Sequence, residues 1–86
     1  MTTDTTIAGR VRRIIAGYSN RDAAILSAAD TLHELGLGDL ESIEISLDIE
    51  EIVDAEGSDD AWEQCQTVGD FIKYAEKLAG VQAMAA

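Results

Sequence analysis

His33 and Cys65 are the single histidine and the single cysteine of this 86-residue chain. A Cys–His pair can generate a thiolate nucleophile when the two side chains meet in space. They stand far apart in sequence, no second histidine accompanies them, and no orienting group is evident. The plainer reading makes His33 a loop surface residue and Cys65 a core filler. "DAEGSDD", residues 54 to 60, gathers four acids around a glycine. It does not match the D-x-[DN]-x-[DN]-G-x₅-E spacing of a calcium loop. Weak, non-specific divalent binding is the most it predicts. "GLG" at residues 36 to 38 follows no strand signal and lacks the rest of a phosphate-binding fingerprint. No catalytic constellation and no metal-ligand set emerges, so the chain is not expected to be an enzyme.

Charge is more informative. Seventeen acidic residues stand against six basic ones, for a formal net charge of -11. They are also segregated. Arg10, Arg12, Arg13 and Arg21 come early and Lys73 and Lys77 late, with fifteen acids and no basic residue between Arg21 and Lys73. Such a block disfavours nucleic acid and anionic membrane as partners and favours a protein with a basic surface. The alternative is an acidic surface kept for solubility. A hydrophobic content of 47% is that of a globular domain. The length suits one domain, expected to be ordered over about residues 5 to 79 with a frayed tail at 80 to 86. No signal-peptide pattern or membrane-spanning run is present, and a lone cysteine fits a reducing compartment. A monomer in the cytoplasm is expected.

The elements that must position these groups are helical. Ile7, Val11, Ile14, Ile15 and Tyr18 fall on one face of a first helix, which Gly17, Ser19 and Asn20 end. A long connection, about residues 19 to 38, carries apolar anchors at Ile25, Leu26, Leu32, Leu35 and Leu37. A loop of that length in a small domain must be packed down. Within it "DTLHELG" predicts a helical turn capped by Asp30. A second helix is predicted from Asp39, as N-cap, to about Asp54. A short third helix around Asp59 to Cys65 would bury Trp62. A fourth starts at Thr67 with Asp70 three residues on, a capping box with Asp in place of Glu. It carries Val68, Phe71, Ile72, Ala75 and Leu78 on one face and ends at Gly80. The expected fold class is all-α: a small bundle of three longer helices and one short one, with a long first loop.

The second helix is apolar on two sides. At about 100° per residue, Ile45, Ile49, Ile52 and Val53 cluster on one side and Leu40, Ile43 and Leu47 nearly opposite. Glu41, Glu44, Asp48 and Glu51 run beside Leu40 and Leu47. If the first stripe faces the core, the second makes an apolar ridge flanked by acids, suited to docking: burial supplies affinity and charge supplies steering. The alternative is that the long loop covers the second stripe.

Three segments carry a resemblance. "TIAGRVRRII" (residues 6 to 15), "LGLGDLESIEISLDIEE" (35 to 51) and "TVGDFIKYAEKL" (67 to 78) resemble the first, second and fourth helices of acyl carrier proteins, with peptidyl and aminoacyl carrier domains as relatives. Each segment alone is weakly specific, but all three stand in order and at matching spacings over most of the chain. The resemblance implies a four-helix carrier bundle acting in acyl or aminoacyl transfer, as in fatty acid or polyketide biosynthesis. In that family a serine at the start of the second helix is joined to phosphopantetheine. The same helix docks on basic patches of partner enzymes: synthases, transferases and ligases.

Carried over by position, Gly38 takes the place of the family's Asp, Asp39 that of the serine, and Leu40 keeps the leucine. Leu40, Glu41, Ile43, Glu44, Leu47, Asp48, Glu50 and Glu51 fall on the implied docking surface. The docking surface is kept and the attachment serine is not, so no cofactor is expected on the chain as it stands. Ser42 is a weak alternative attachment point, one turn further on, where its hydroxyl can bond back to the helix backbone; Ser46 is weaker still. Three accounts of Asp39 are open. It makes the chain a natural pseudo-carrier, or it is an introduced serine replacement that locks the unmodified form. Or it imitates part of a phosphoserine at a helix N-terminus. The alternative function is a cargo-free interaction or regulatory module on the same fold.

Overall fold

The computed structural model describes residues 6–55 and 61–85. Three α-helices form the frame: α1 (Ile7–Ser19), α2 (Asp39–Val53) and α3 (Val68–Ala85). Two 3₁₀ turns, Ala23–Ile25 and Ala61–Gln64, lie in the connections. No strand occurs among the described residues, and the expected all-α bundle is the one found. Ala61–Gln64 stands where a short third helix was expected. Trp62 there is half-buried rather than core. The expected start of that element, at Asp59, lies outside the described residues, as does most of "DAEGSDD".

The helix ends follow local chemistry. Thr6 caps α1, its hydroxyl accepting from the Gly9 N–H at 3.1 Å. Asn20 ends α1 in the left-handed conformation (φ 58°) that Asn tolerates through its short polar side chain. Asp54 ends α2 in the same way (φ 53°). At α3 the Asp-type capping box forms as its spacing predicts. The Asp70 N–H donates to Thr67 Oγ1 at 3.0 Å, and the Thr67 N–H donates back to Asp70 Oδ2 at 3.1 Å. The Gln66 N–H adds a third bond to Asp70 Oδ2, and these backbone donors hold the Asp70 carboxyl below the usual carboxylate range.

Three expected boundaries need correction. Gly38, not Asp39, is the N-cap of α2; it offers no side-chain oxygen, and Asp39 is the first helical residue. α3 does not stop at Gly80 but runs to Ala85, because a lone glycine costs a helix roughly 1 kcal/mol and does not break it. The turn in "DTLHELG" is closed by Thr31 and Glu34, each receiving the other's backbone N–H, while Asp30 accepts from the Ser27 N–H. A threonine followed three residues later by glutamate is the stronger capping signal. Gly36 completes that turn at φ 78°, a region open to glycine and strained for other residues.

The core is built from Val11, Ile15, Ile45, Ile49, Val68, Phe71 and Ala75, all fully buried. The long loop is packed down: Leu26, Leu32, Leu35 and Leu37 are buried against these side chains. Ile25, expected as a fifth anchor, instead points outward. Backbone bonds also strap the loop to the start of α3, from Leu32 N to Gln66 O, Val68 N to Asp30 O and Gly69 N to Ala28 O, each at 2.9 Å. No helix among the described residues is long and apolar enough to cross a membrane.

Candidate functional site

α2 is sandwiched by the bundle on one side and open on the other. Ile45 and Ile49 point inward and are fully buried, with Ile52 and Val53 half-buried below them. Leu40 and Leu47 are 65% and 56% exposed, and Ile43 between them is half-buried. The long loop therefore does not cover the second stripe, because its own leucines are spent in the core. Glu51 is exposed beside the ridge, and Glu41 and Glu44 are half-buried at its flanks.

The acids of α2 are not equivalent. Tyr18 of α1 donates its hydroxyl to Asp48 Oδ2 at 2.8 Å. That bond, with partial burial and the negative charges of Asp48 and Glu44, pushes the Tyr18 phenol up to about 12. On the other flank Tyr74 of α3 donates to Glu50 Oε2 at 3.3 Å. Burial, then the Glu50 charge, pushes Tyr74 to about 12 as well. Two of the expected docking acids are thus also structural acceptors. A tyrosine at the edge of an apolar helix face, at Tyr18 and Tyr74, is the sequence signal that could have shown this, since a half-buried phenol needs a partner.

The start of α2 presents a carboxylate and no exposed hydroxyl. Asp39 is exposed. Ser42, one turn later, is buried, and its Oγ donates to the Gly38 carbonyl at 3.1 Å. Ser46 is buried too and donates to the Ile43 carbonyl at 2.7 Å. These are the back-bonds that serine makes inside helices.

Asp39 and Ser42 also line a cleft of about 570 Å³ that sequence reasoning missed. Leu32, Leu37 and Trp62 supply its apolar surface, and His33, Glu63 and Cys65 border it. No local pattern announces this cleft, because its walls come from the loop, α2 and the second 3₁₀ turn. The fold thus brings His33 and Cys65 to one cleft. Burial, with the Asp70 charge, pushes the Cys65 thiol up to about 11. It is a protonated thiol at neutral pH, unlike an activated nucleophile. Among the described residues no group of three His, Cys, Asp or Glu side chains could hold a metal ion.

A family model described as "Phosphopantetheine attachment site" matches residues 9–75. The chain belongs to this carrier family. Acyl carrier proteins from Phenylobacterium zucineum and Caulobacter vibrioides are similar to it, at 35% and 38% identity over 72 residues. The first match covers 83% of this chain and 91% of the relative, the second 81% and 92%. The NMR structure of the HMG-ACPI domain from the CurA module of Lyngbya majuscula shares the fold. Its TM-score is 0.70 at 13% identity, covering 95% of this chain and 91% of that one. Acyl carrier proteins are carriers rather than catalysts, and the buried thiol and absent metal cluster give this carrier chain no catalytic machinery of its own among the described residues.

Proposed function

We propose that this carrier-family chain docks through α2 on acyl- or aminoacyl-handling enzymes with basic surfaces, as a cytoplasmic monomer, and does so without phosphopantetheine. The observation that carries the docking half is the exposure of Leu40 and Leu47 on a helix whose opposite side is fully buried. A bundle of this size does not leave two leucines in water on one helix for stability's sake, and the flanking Glu41, Glu44 and Glu51 suit a cationic partner. Asp48 and Glu50 contribute charge to the same face while held by Tyr18 and Tyr74.

The cargo half rests on the start of α2. Attachment requires an alcohol oxygen to attack phosphorus. Asp39 offers a carboxylate, whose charge opposes the anionic donor. The nearest hydroxyl, on Ser42, is buried and bonded to Gly38. The group therefore does not fit the residues present.

Intact-mass measurement after incubation with coenzyme A and a broad-specificity phosphopantetheinyl transferase tests this reading. The chain is expected to stay unmodified and Asp39→Ser to gain the group. If Asp39→Ser alone stays bare, Gly38→Asp combined with it is expected to restore transfer. Modification of the unaltered chain at Ser42 contradicts the reading.

A further inference from the structure

The cleft beside Asp39 has two chemically distinct parts. Its apolar surface is Leu32, Leu37 and Trp62, the first two buried in the core cluster and the third half-buried. Its rim carries Asp39 and Glu63, both exposed. Several other acids of the chain are occupied: Asp70, Glu34 and Asp48 accept hydrogen bonds from backbone or tyrosine donors. Asp39 does not even cap its own helix, since Gly38 holds that position without a side-chain bond.

We propose that this cleft seats a lysine side chain of the docked partner. A lysine combines an apolar four-carbon stem with a compact ammonium, which matches an apolar floor under an acidic rim. The stem lies along Leu32 and Leu37, the ammonium reaches Asp39 and Glu63, and the Trp62 ring adds a cation–π face. The N-terminus of α2 contributes roughly half a positive charge nearby, which the full charges of Asp39 and Glu63 outweigh. The source is a docked protein because Asp39 opens α2 and Leu40 follows it directly, so the cleft continues the docking ridge. In this chain position 39 would then serve recognition of a cation. The inference rests on the docking reading above.

Trp62 is the sole tryptophan, so its fluorescence reports on this cleft alone. The chain is titrated with hexylamine, hexanol and hexanoate at neutral pH and matched ionic strength. Hexylamine is expected to shift Trp62 emission at a several-fold lower concentration than hexanol, and hexanoate to act last. Asp39→Asn, at an exposed position, should remove most of the amine's advantage and leave hexanol unchanged. A Leu/Lys amphipathic helical peptide should compete with hexylamine, and its lysine-to-norleucine version should not. Equal responses to amine and alcohol, or a silent Trp62, overturn the proposal. Glu51→Lys, at the far end of α2, separates it from the docking reading. The expected result is weaker partner association with an unmoved hexylamine titration. If the amine binds but Glu51→Lys leaves partner association intact, docking through α2 fails and the partner lysine fails with it.

Discussion

Ile45 and Ile49 on one side of α2 are fully buried, whereas Leu40 and Leu47 on the other stand largely in water, although the four side chains are nearly equal in apolar area. The difference lies in what is available to cover them. The inner side meets Val11, Ile15 and Phe71. The outer side could have been covered by the long loop, but Leu26, Leu32, Leu35 and Leu37 turn into the core, and the loop's backbone is strapped to the start of α3. Identical chemistry therefore stabilises the fold on one side and is left for a partner on the other. Burial of each inner side chain contributes about 1.5–3 kcal/mol, a gain the outer ones make only on docking.

The acids divide in a parallel way. Asp70 and Glu34 close turns by accepting backbone N–H groups, and Asp48 and Glu50 receive tyrosine hydroxyls. Asp39 and Glu51 face solvent. A count of charges sees one acidic block, while the structure sees acids that hold the fold and acids that meet the outside.

The largest expected effect lies on the inner side. Ile49→Ala should lower unfolding free energy by about 2–5 kcal/mol, read from a denaturant midpoint, because it opens a void among side chains that cannot collapse. A loss near zero would mean that the inner stripe is not core and would break the comparison.

A middle-sized effect is expected at the α3 cap. Asp70→Ala should cost about 1 kcal/mol by leaving the Gln66 and Thr67 N–H groups without their acceptor. The folded state holds the Asp70 carboxyl lowered, so its contribution is present above the unfolded value, about pH 3.9, and is lost as pH falls through the folded value. Thermal melts from neutral pH into the acid range should show the wild type converging on Asp70→Ala below about pH 4. A gap that persists at low pH would show that Asp70 acts by packing rather than by charge.

The smallest effect is expected on the outer side. Leu47→Ala should change stability by no more than about 0.5 kcal/mol, the range of an exposed position. Destabilisation comparable to that of Ile49→Ala would make both stripes core and remove the apolar half of the docking surface.

Much of this was legible in the sequence, for reasons that are local. The three long helices follow from spacing alone: apolar positions of α1 at Ile7, Val11, Ile14 and Ile15, and of α3 at Val68, Phe71, Ile72 and Ala75. The α3 capping box is visible because Thr67 and Asp70 are three residues apart. The two stripes of α2 are visible as angles, and the structure shows Leu40 and Leu47 outside. Other features depend on which of several nearly equal local options tertiary packing selects. Gly38 takes the cap that Asp39 could have filled, and Thr31 with Glu34 takes the turn that Asp30 could have capped. Ile25 matches the loop's leucines in hydrophobicity, yet the 3₁₀ turn at Ala23–Ile25 directs it outward. The cleft beside Asp39 and the clasp of Tyr18 on Asp48 join residues distant in sequence, so no window of the chain contains them.

The central claim is that the outer side of α2 is a docking surface whose charge steers a basic partner. It is tested most directly by the association rate of the unmodified chain with a carrier-dependent ketosynthase, measured across a salt series for wild type and for Glu44→Lys with Glu51→Lys. The account predicts association slowed by about tenfold at low salt and a flattened salt dependence in the double variant, with the melting temperature unchanged or slightly higher. Equal rates and equal salt slopes for the two proteins would contradict it.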